Sequence, residues 1–146
     1  MKKFKFRLER VLQFRTAVKD EKLRELTLKN VKLREEQDRL SALEGAMRRN
    51  QNEAEGVVLI ESFYMRGLYS SRLKEEIVNQ RLTIIKCEEE VREAMAAYIE
   101  ASKELKSLTT LKDRKRTEYL EYVAHEDAKF LDELATQKGN TFKAQS

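Results

Sequence analysis

Apolar residues recur at seven-residue intervals through most of this chain. Leu26, Leu33, Leu40, Met47 and Ala54 form one series, and Ile77, Ile84, Val91, Tyr98 and Leu105 form a second. Seven residues are close to two turns of an α-helix, so each series marks one stripe of a helix built to pack along a partner helix. The interleaved positions of the first run are Leu23, Asn30, Gln37, Glu44 and Gln51, mostly polar. Those of the second are Gln80, Cys87, Ala94, Ala101 and Leu108, so the second seam is the stronger. Beyond Leu108 the register slips and resumes as Leu120, Val123, Phe130 and Leu134, leaving an interval that holds Lys112, Arg114, Lys115 and Arg116.

Between the two runs the repeat fails in EAEGVVLIESFYMRGLYSSRL, where Gly56 is followed by four consecutive apolar residues. A chain that folds back there pairs residues whose numbers sum to a constant. A sum of 117 brings Leu40 to Ile77, Leu33 to Ile84, Leu26 to Val91 and Leu12 to Leu105. The same constant sets Gln37 against Gln80, Asn30 against Cys87 and Leu23 against Ala94, and Phe4 beside Asp113. A parallel homodimer would instead stack Gln37 on Gln37 and Glu44 on Glu44, a like-charge layer with nothing to offset it. The pattern therefore predicts an all-α fold, a long antiparallel two-helix coiled-coil hairpin with unequal arms. It is a single domain over residues 1–146, with helix one over about 3–54, a turn over about 55–61, helix two over about 62–137 and a disordered tail over 138–146. At about 1.5 Å of rise per residue the arms reach about 75 Å and more than about 110 Å. Residues 114–137 then extend past the first helix, and Phe130, Leu131 and Leu134 have no partner in the chain.

Composition supports this reading. The chain is 38% charged and 40% hydrophobic, with no proline and four glycines, a balance that suits long helices better than a wrapped core. A single cysteine, Cys87, excludes an internal disulfide and points to a reducing compartment. No uncharged run is long enough to span a bilayer, and Lys5, Arg7, Glu9 and Arg10 interrupt any signal-peptide core. Direct membrane insertion is not expected. Residues 1–24 carry nine Lys/Arg against Glu9, Asp20 and Glu21, a local +6 in a chain whose total is +4.

No catalytic, cofactor-binding or metal-ligating constellation emerges. The glycines are too scattered for a phosphate-cradling loop. His125 and Glu126 are adjacent on a helix and point about 100° apart. Cys87 falls on the seam as a small apolar residue, and CEEEVRE reads as a solvated face. The unusual stretch is MKKFKFRLERVLQFR. On a helical wheel Phe4, Leu8, Val11, Phe14 and Val18 share one face, Leu12 flanks it, and Phe6 stands opposite. Its cations surround the helix instead of gathering on one side, as they would to meet a lipid surface or nucleic acid, so an encircling protein fits better.

FKFRLERVLQFR, SFYMRGLYSSRLKEEI and LKDRKRTEYLEYVAHEDAKFLDELATQK together resemble the flagellar FliJ family, the small coiled-coil component of the bacterial type III flagellar export apparatus. The resemblance covers nearly the whole chain. It implies a non-enzymatic antiparallel hairpin similar to the central shaft of rotary F-type ATPases. Its open end would enter the pore of the hexameric flagellar export ATPase and promote that enzyme's assembly and activity. By the same resemblance Phe4, Phe6, Arg7, Leu8, Val11, Leu12 and Arg15, with Asp132, Glu133 and Leu134, face the ATPase ring. Leu43, Tyr69 and Leu73 face the cytoplasmic part of the transmembrane export gate, and export chaperones are further partners. The implied location is cytoplasmic, peripheral to the inner face of the cell membrane. Similar stalks serve virulence secretion systems, and a basic coiled coil associated with nucleic acid or the ribosome is the alternative from another class.

Overall fold

In the computed structural model, which describes residues 2–53 and 59–145, the chain forms two α-helices, α1 (Glu9–Glu53) and α2 (Ile60–Ala144). They pack against each other as the all-α hairpin that the seven-residue repeats predict, with unequal arms of 45 and 85 residues. Of the turn expected over about 55–61, residues 55–58 lie outside the described residues; Leu59 is non-helical, and Ile60 and Glu61 already belong to α2. Two bounds differ from the sequence reading. Helix one starts at Glu9, not near residue 3, for a reason that lies in the site below. Helix two does not stop near 137 but continues through 138–144. Nothing there breaks it: Gly139 costs only about 1 kcal/mol relative to alanine, and each added residue gains a hydrogen bond on the preceding turn.

The contacts divide into two compact units, one of residues 18–101 and one of residues 1–17 with 102–146. In the first unit α2 buries Leu73, Ile77, Gln80, Ile84, Cys87 and Ala101, and the first five follow the alternating four- and three-residue steps of a coiled-coil seam. Opposite them α1 buries Leu26, flanked by half-buried Lys22, Lys29, Leu33, Glu36, Leu40, Leu43 and Met47. The leucine series of α1 is thus on the seam, but its interleaved partners are Lys22, Lys29 and Glu36. Leu23, Asn30 and Gln37, expected there, are exposed.

The physical reason is a choice that apolarity alone cannot make. From Leu26 the seam can step three residues to Lys29 or four to Asn30. Leu23 argues for the second, but the groups on α2 select the first. Gln80 Nε2, buried among apolar neighbours, donates to the Glu36 carbonyl at 2.9 Å and to Glu36 Oε2 at 2.5 Å. Lys29 Nζ lies 3.1 Å and Lys32 Nζ 3.8 Å from Glu90 Oε2. The lysine stems cover apolar surface while their ammonium groups reach out to the acid, so charged residues fill positions that a hydrophobicity pattern assigns to others. Gln80 therefore faces Glu36 and not Gln37, and Asn30 is not the partner of Cys87.

The register itself agrees with the sequence. Glu36 with Gln80, and Met47 with Ser70, whose hydroxyl lies 3.8 Å from the Met47 sulfur, have numbers that sum to 116 and 117. Nearer the turn, Asn50 Nδ2 donates to the Arg66 carbonyl at 3.4 Å, and the Arg66 guanidinium donates to the Glu53 carbonyl at the end of α1. Arg81 reaches Glu44 at 3.4 Å on the surface. Exposed ion pairs contribute about 0–1 kcal/mol each, so the apolar seam supplies stability and the polar contacts choose the register.

Two outcomes follow. Ile84→Ala removes a buried seam side chain and should destabilise the fold by about 3 kcal/mol in urea unfolding, whereas truncation of its exposed neighbour Ile85 should cost less than about 0.5 kcal/mol. The Glu90 carboxyl is held below its ordinary value of 4.5 by the hydrogen bond from Lys29 and then by the charges of Lys29 and Lys32. A depressed folded value stabilises above the unfolded value, and the benefit is lost as pH falls through the folded one. Glu90→Gln should therefore lower the urea midpoint at pH 7, and its difference from the parent chain should shrink as pH falls below the ordinary carboxylate value.

Candidate functional site

The second unit holds the stretch MKKFKFRLER, and its described residues resolve the conflict in that sequence. Residues 2–6 precede α1 without helical structure, and Arg7 and Leu8 form the turn that leads into it. Burial alternates along them: Phe4, Phe6 and Leu8 are half-buried, while Lys3, Lys5 and Arg7 are exposed. Alternation at a period of two is the mark of an extended chain with one side against a surface. The helical wheel that set Phe6 opposite Phe4 does not apply, because both rings lie on the same side of an extended segment.

Packing and hydrogen bonds hold this segment on α2. The Phe4 ring packs on Tyr119 with centroids 5.7 Å apart and planes tilted by 40°, and the Tyr119 hydroxyl donates to the Lys2 carbonyl. The Glu9 amide donates to the Phe6 carbonyl at 3.2 Å, closing the turn that starts α1. At the start of α1, Lys112 Nζ is 2.8 Å from Glu9 Oε2, and Arg15 pairs with Glu104. From these anchors an extended chain travels farther per residue than a helix, about 3.3 Å against about 1.5 Å. Phe4 accordingly lies at Tyr119, and not beside Asp113 as a helical start predicts.

Beside the segment opens a groove of about 1040 Å³ lined by Phe4, Phe6, Leu8, Leu111, Lys115 and Tyr119, among others. Its chemistry is apolar walls under a cationic rim. Lys3, Lys5 and Arg7 form no ion pair among the described residues, and no carboxylate occurs in residues 2–8. Two acids near the groove, Glu9 and Glu118, are already engaged. Glu9 is held by Lys112, and the Glu118 carboxyl is pushed below its ordinary value by the hydrogen bond from Lys115, then by the Lys115 charge, with Arg114 adding to it.

The expected ring-facing residues fall into two places. Phe4, Phe6 and Leu8 line the groove and Arg7 lies on its rim; Leu12 is half-buried, Val11 is exposed, and Arg15 is tied to Glu104 with its guanidinium 5.9 Å from the Phe14 ring centre. Asp132, Glu133 and Leu134 are exposed farther along α2, about 20 Å from Tyr119 at the rise of a helix. Around them Leu120, Tyr122, Phe130 and Leu131 are exposed too, as expected for a stretch with no partner in the chain.

Of the expected gate-facing residues, Tyr69 is exposed and Leu43 is half-buried, but Leu73 is 4% exposed and belongs to the seam. A partner cannot reach Leu73 without separating the helices, because its position follows the four-residue step to Ile77. The sequence reading missed Tyr119, which anchors the extended segment, and a second apolar stripe on the outer side of α2, Val78, Leu82 and Ile85. The alternation of Phe4, Phe6 and Leu8 was the signal for the first, and a four- then three-residue spacing beside the main seam was the signal for the second. Among the described residues no group of His, Cys, Asp or Glu could hold a metal ion, and no helix is long and apolar enough to cross a membrane.

No curated protein and no solved structure matches the chain. A family model described as flagellar FliJ protein matches residues 4–141, which include Phe4, Phe6 and Leu8 of the groove, all of α1 and α2 up to residue 141. The chain belongs to the flagellar FliJ protein family.

Proposed function

We propose that this flagellar-export coiled-coil protein is a non-enzymatic stalk of the type III export apparatus. Its end formed by residues 2–17 and the distal part of α2 docks into the hexameric export ATPase, and other surfaces link that enzyme to the export gate and to export chaperones. The observation that supports this most is the apolar groove under Lys3, Lys5 and Arg7, because exposed aromatic surface ringed by unneutralised cations has a cost in solvent that a protein partner removes. Family membership supplies the export context.

The mechanism is differential contact. A single helix pair cannot match six equivalent subunits at once, so it binds some conformations of the ring more tightly than others and shifts their populations. It raises turnover by that bias, with the chemistry left to the ATPase. For the gate, the outer stripe of Val78, Leu82 and Ile85, with Tyr69, offers apolar surface in place of the buried Leu73. It is cytoplasmic and peripheral to the inner membrane face in this reading.

The test is reconstitution with the cognate ATPase, following its oligomerisation by sedimentation and its ATP hydrolysis. The native chain should increase both. Phe6→Ala with Arg7→Ala should weaken the association about tenfold, the scale of losing one interface anchor, with the helical circular dichroism unchanged. An ATPase whose assembly and turnover ignore the native chain contradicts the proposal.

A further inference from the structure

The extended segment has features that dictate what can bind it. Backbone groups of residues two apart in an extended chain point to the same edge. The carbonyls of Lys2 and Phe6 share one edge, and both are occupied, by the Tyr119 hydroxyl and the Glu9 amide. Lys3 and Lys5 present their amides and carbonyls on the other edge, where no partner occurs among the described residues. On the outward side stand the Lys3, Lys5 and Arg7 cations, and on the inward side Phe4 and Phe6 border the groove.

We propose that this open edge accepts an extended, acidic segment of a partner protein as an added strand. The partner's residues would alternate between carboxylates beside Lys3, Lys5 and Arg7 and apolar side chains in the groove.

The argument for this occupant is complementarity in three respects. Side chains of neighbouring strands that face each other point the same way, so a carboxylate at every second partner residue meets the cationic side. The intervening side chains then face Phe4, Phe6, Leu111 and Tyr119, where there is open volume for them. Finally, the free amides and carbonyls of Lys3 and Lys5 need a partner with donors and acceptors in the repeat of a strand, which a polypeptide offers and a phosphodiester backbone does not. Of the flanking acids, Glu9 and Glu118 are already paired with Lys112 and Lys115. The proposal rests on the reading that this end docks a protein, and it adds the conformation and sequence character of the docking element.

The test uses the full chain and three probes: an eight-residue peptide alternating glutamate and valine, one alternating glutamate and serine, and a single-stranded oligonucleotide of equal charge. Titration by fluorescence anisotropy at fixed salt should show the glutamate–valine peptide binding most tightly. Lys3→Glu with Lys5→Glu should weaken it by at least about tenfold, as charge reversal at close pairs does. Lys5→Pro, which also removes the amide, should bind about three- to tenfold more weakly than Lys5→Gln, which removes the charge alone. Amide exchange at Lys3 and Lys5 should slow when the peptide binds.

Equal binding of the two peptides refutes the groove's part. Equal binding by Lys5→Pro and Lys5→Gln, with no slowing of exchange, refutes the added strand. Tighter binding of the oligonucleotide overturns the assignment in favour of nucleic acid. A chain that binds the glutamate–valine peptide as described but leaves the export ATPase unchanged upholds the edge and rejects the stalk; one that stimulates the ATPase without binding the peptide does the reverse.

Discussion

The buried amide of Gln80 has one set of acceptors within reach, the carbonyl and carboxylate of Glu36, and the pairing of the helices depends on that meeting. A buried donor without its acceptor costs about 1–3 kcal/mol, which is more than any single surface ion pair contributes. Sliding α1 by one residue would break this contact and also move Lys29 and Lys32 away from Glu90. Apolar contacts alone would not choose so firmly. Leucines of α1 alternate with Lys22, Lys29 and Glu36, so a seam half made of charged stems depends on polar partners for its alignment.

The other unit is ordered by contacts of its own. Helical pairing brings α1 to its start at Glu9, where Lys112 meets it. The chain before Glu9 then no longer serves the seam, and its two-residue alternation takes over: Phe4, Phe6 and Leu8 turn to α2 while Lys3, Lys5 and Arg7 turn away. Tyr119 fixes the segment from both sides of its chemistry, with its ring against Phe4 and its hydroxyl on the Lys2 carbonyl. The result is cationic and aromatic surface left uncovered at the end where the family resemblance expects an encircling partner.

Much of this was legible in the sequence. The fold, the unequal arms and the register came from the spacing of Leu26, Leu33 and Leu40 against Ile77 and Ile84, because a seven-residue repeat admits few alternatives. The interleaved α1 residues were not legible, since a lysine on a seam looks like a lysine on a surface until its acid is known. Residues 4–8 satisfy two periods at once: Phe4 and Leu8 fit a helix, and Phe4, Phe6 and Leu8 fit a strand. Tertiary contact with Tyr119 decided between them. The extension of α2 through 138–144 was not legible as helix, although no proline interrupts it. The group at Phe4 to Leu8 was legible as unusual before it was legible as a shape, while Leu73 was taken from resemblance against its own place in the heptad.

The central claim is that α1 and α2 of one chain pair antiparallel in this register. Cysteines placed at Leu33 and Ile84 in a Cys87→Ser background test it most directly, with a short bifunctional thiol reagent applied at high dilution and the product sized under denaturing conditions. The account predicts a crosslink within single chains, strong for this pair and lost when the second cysteine is moved to exposed Ile85. Crosslinks that join only separate chains, or that form equally at Ile85, would contradict it.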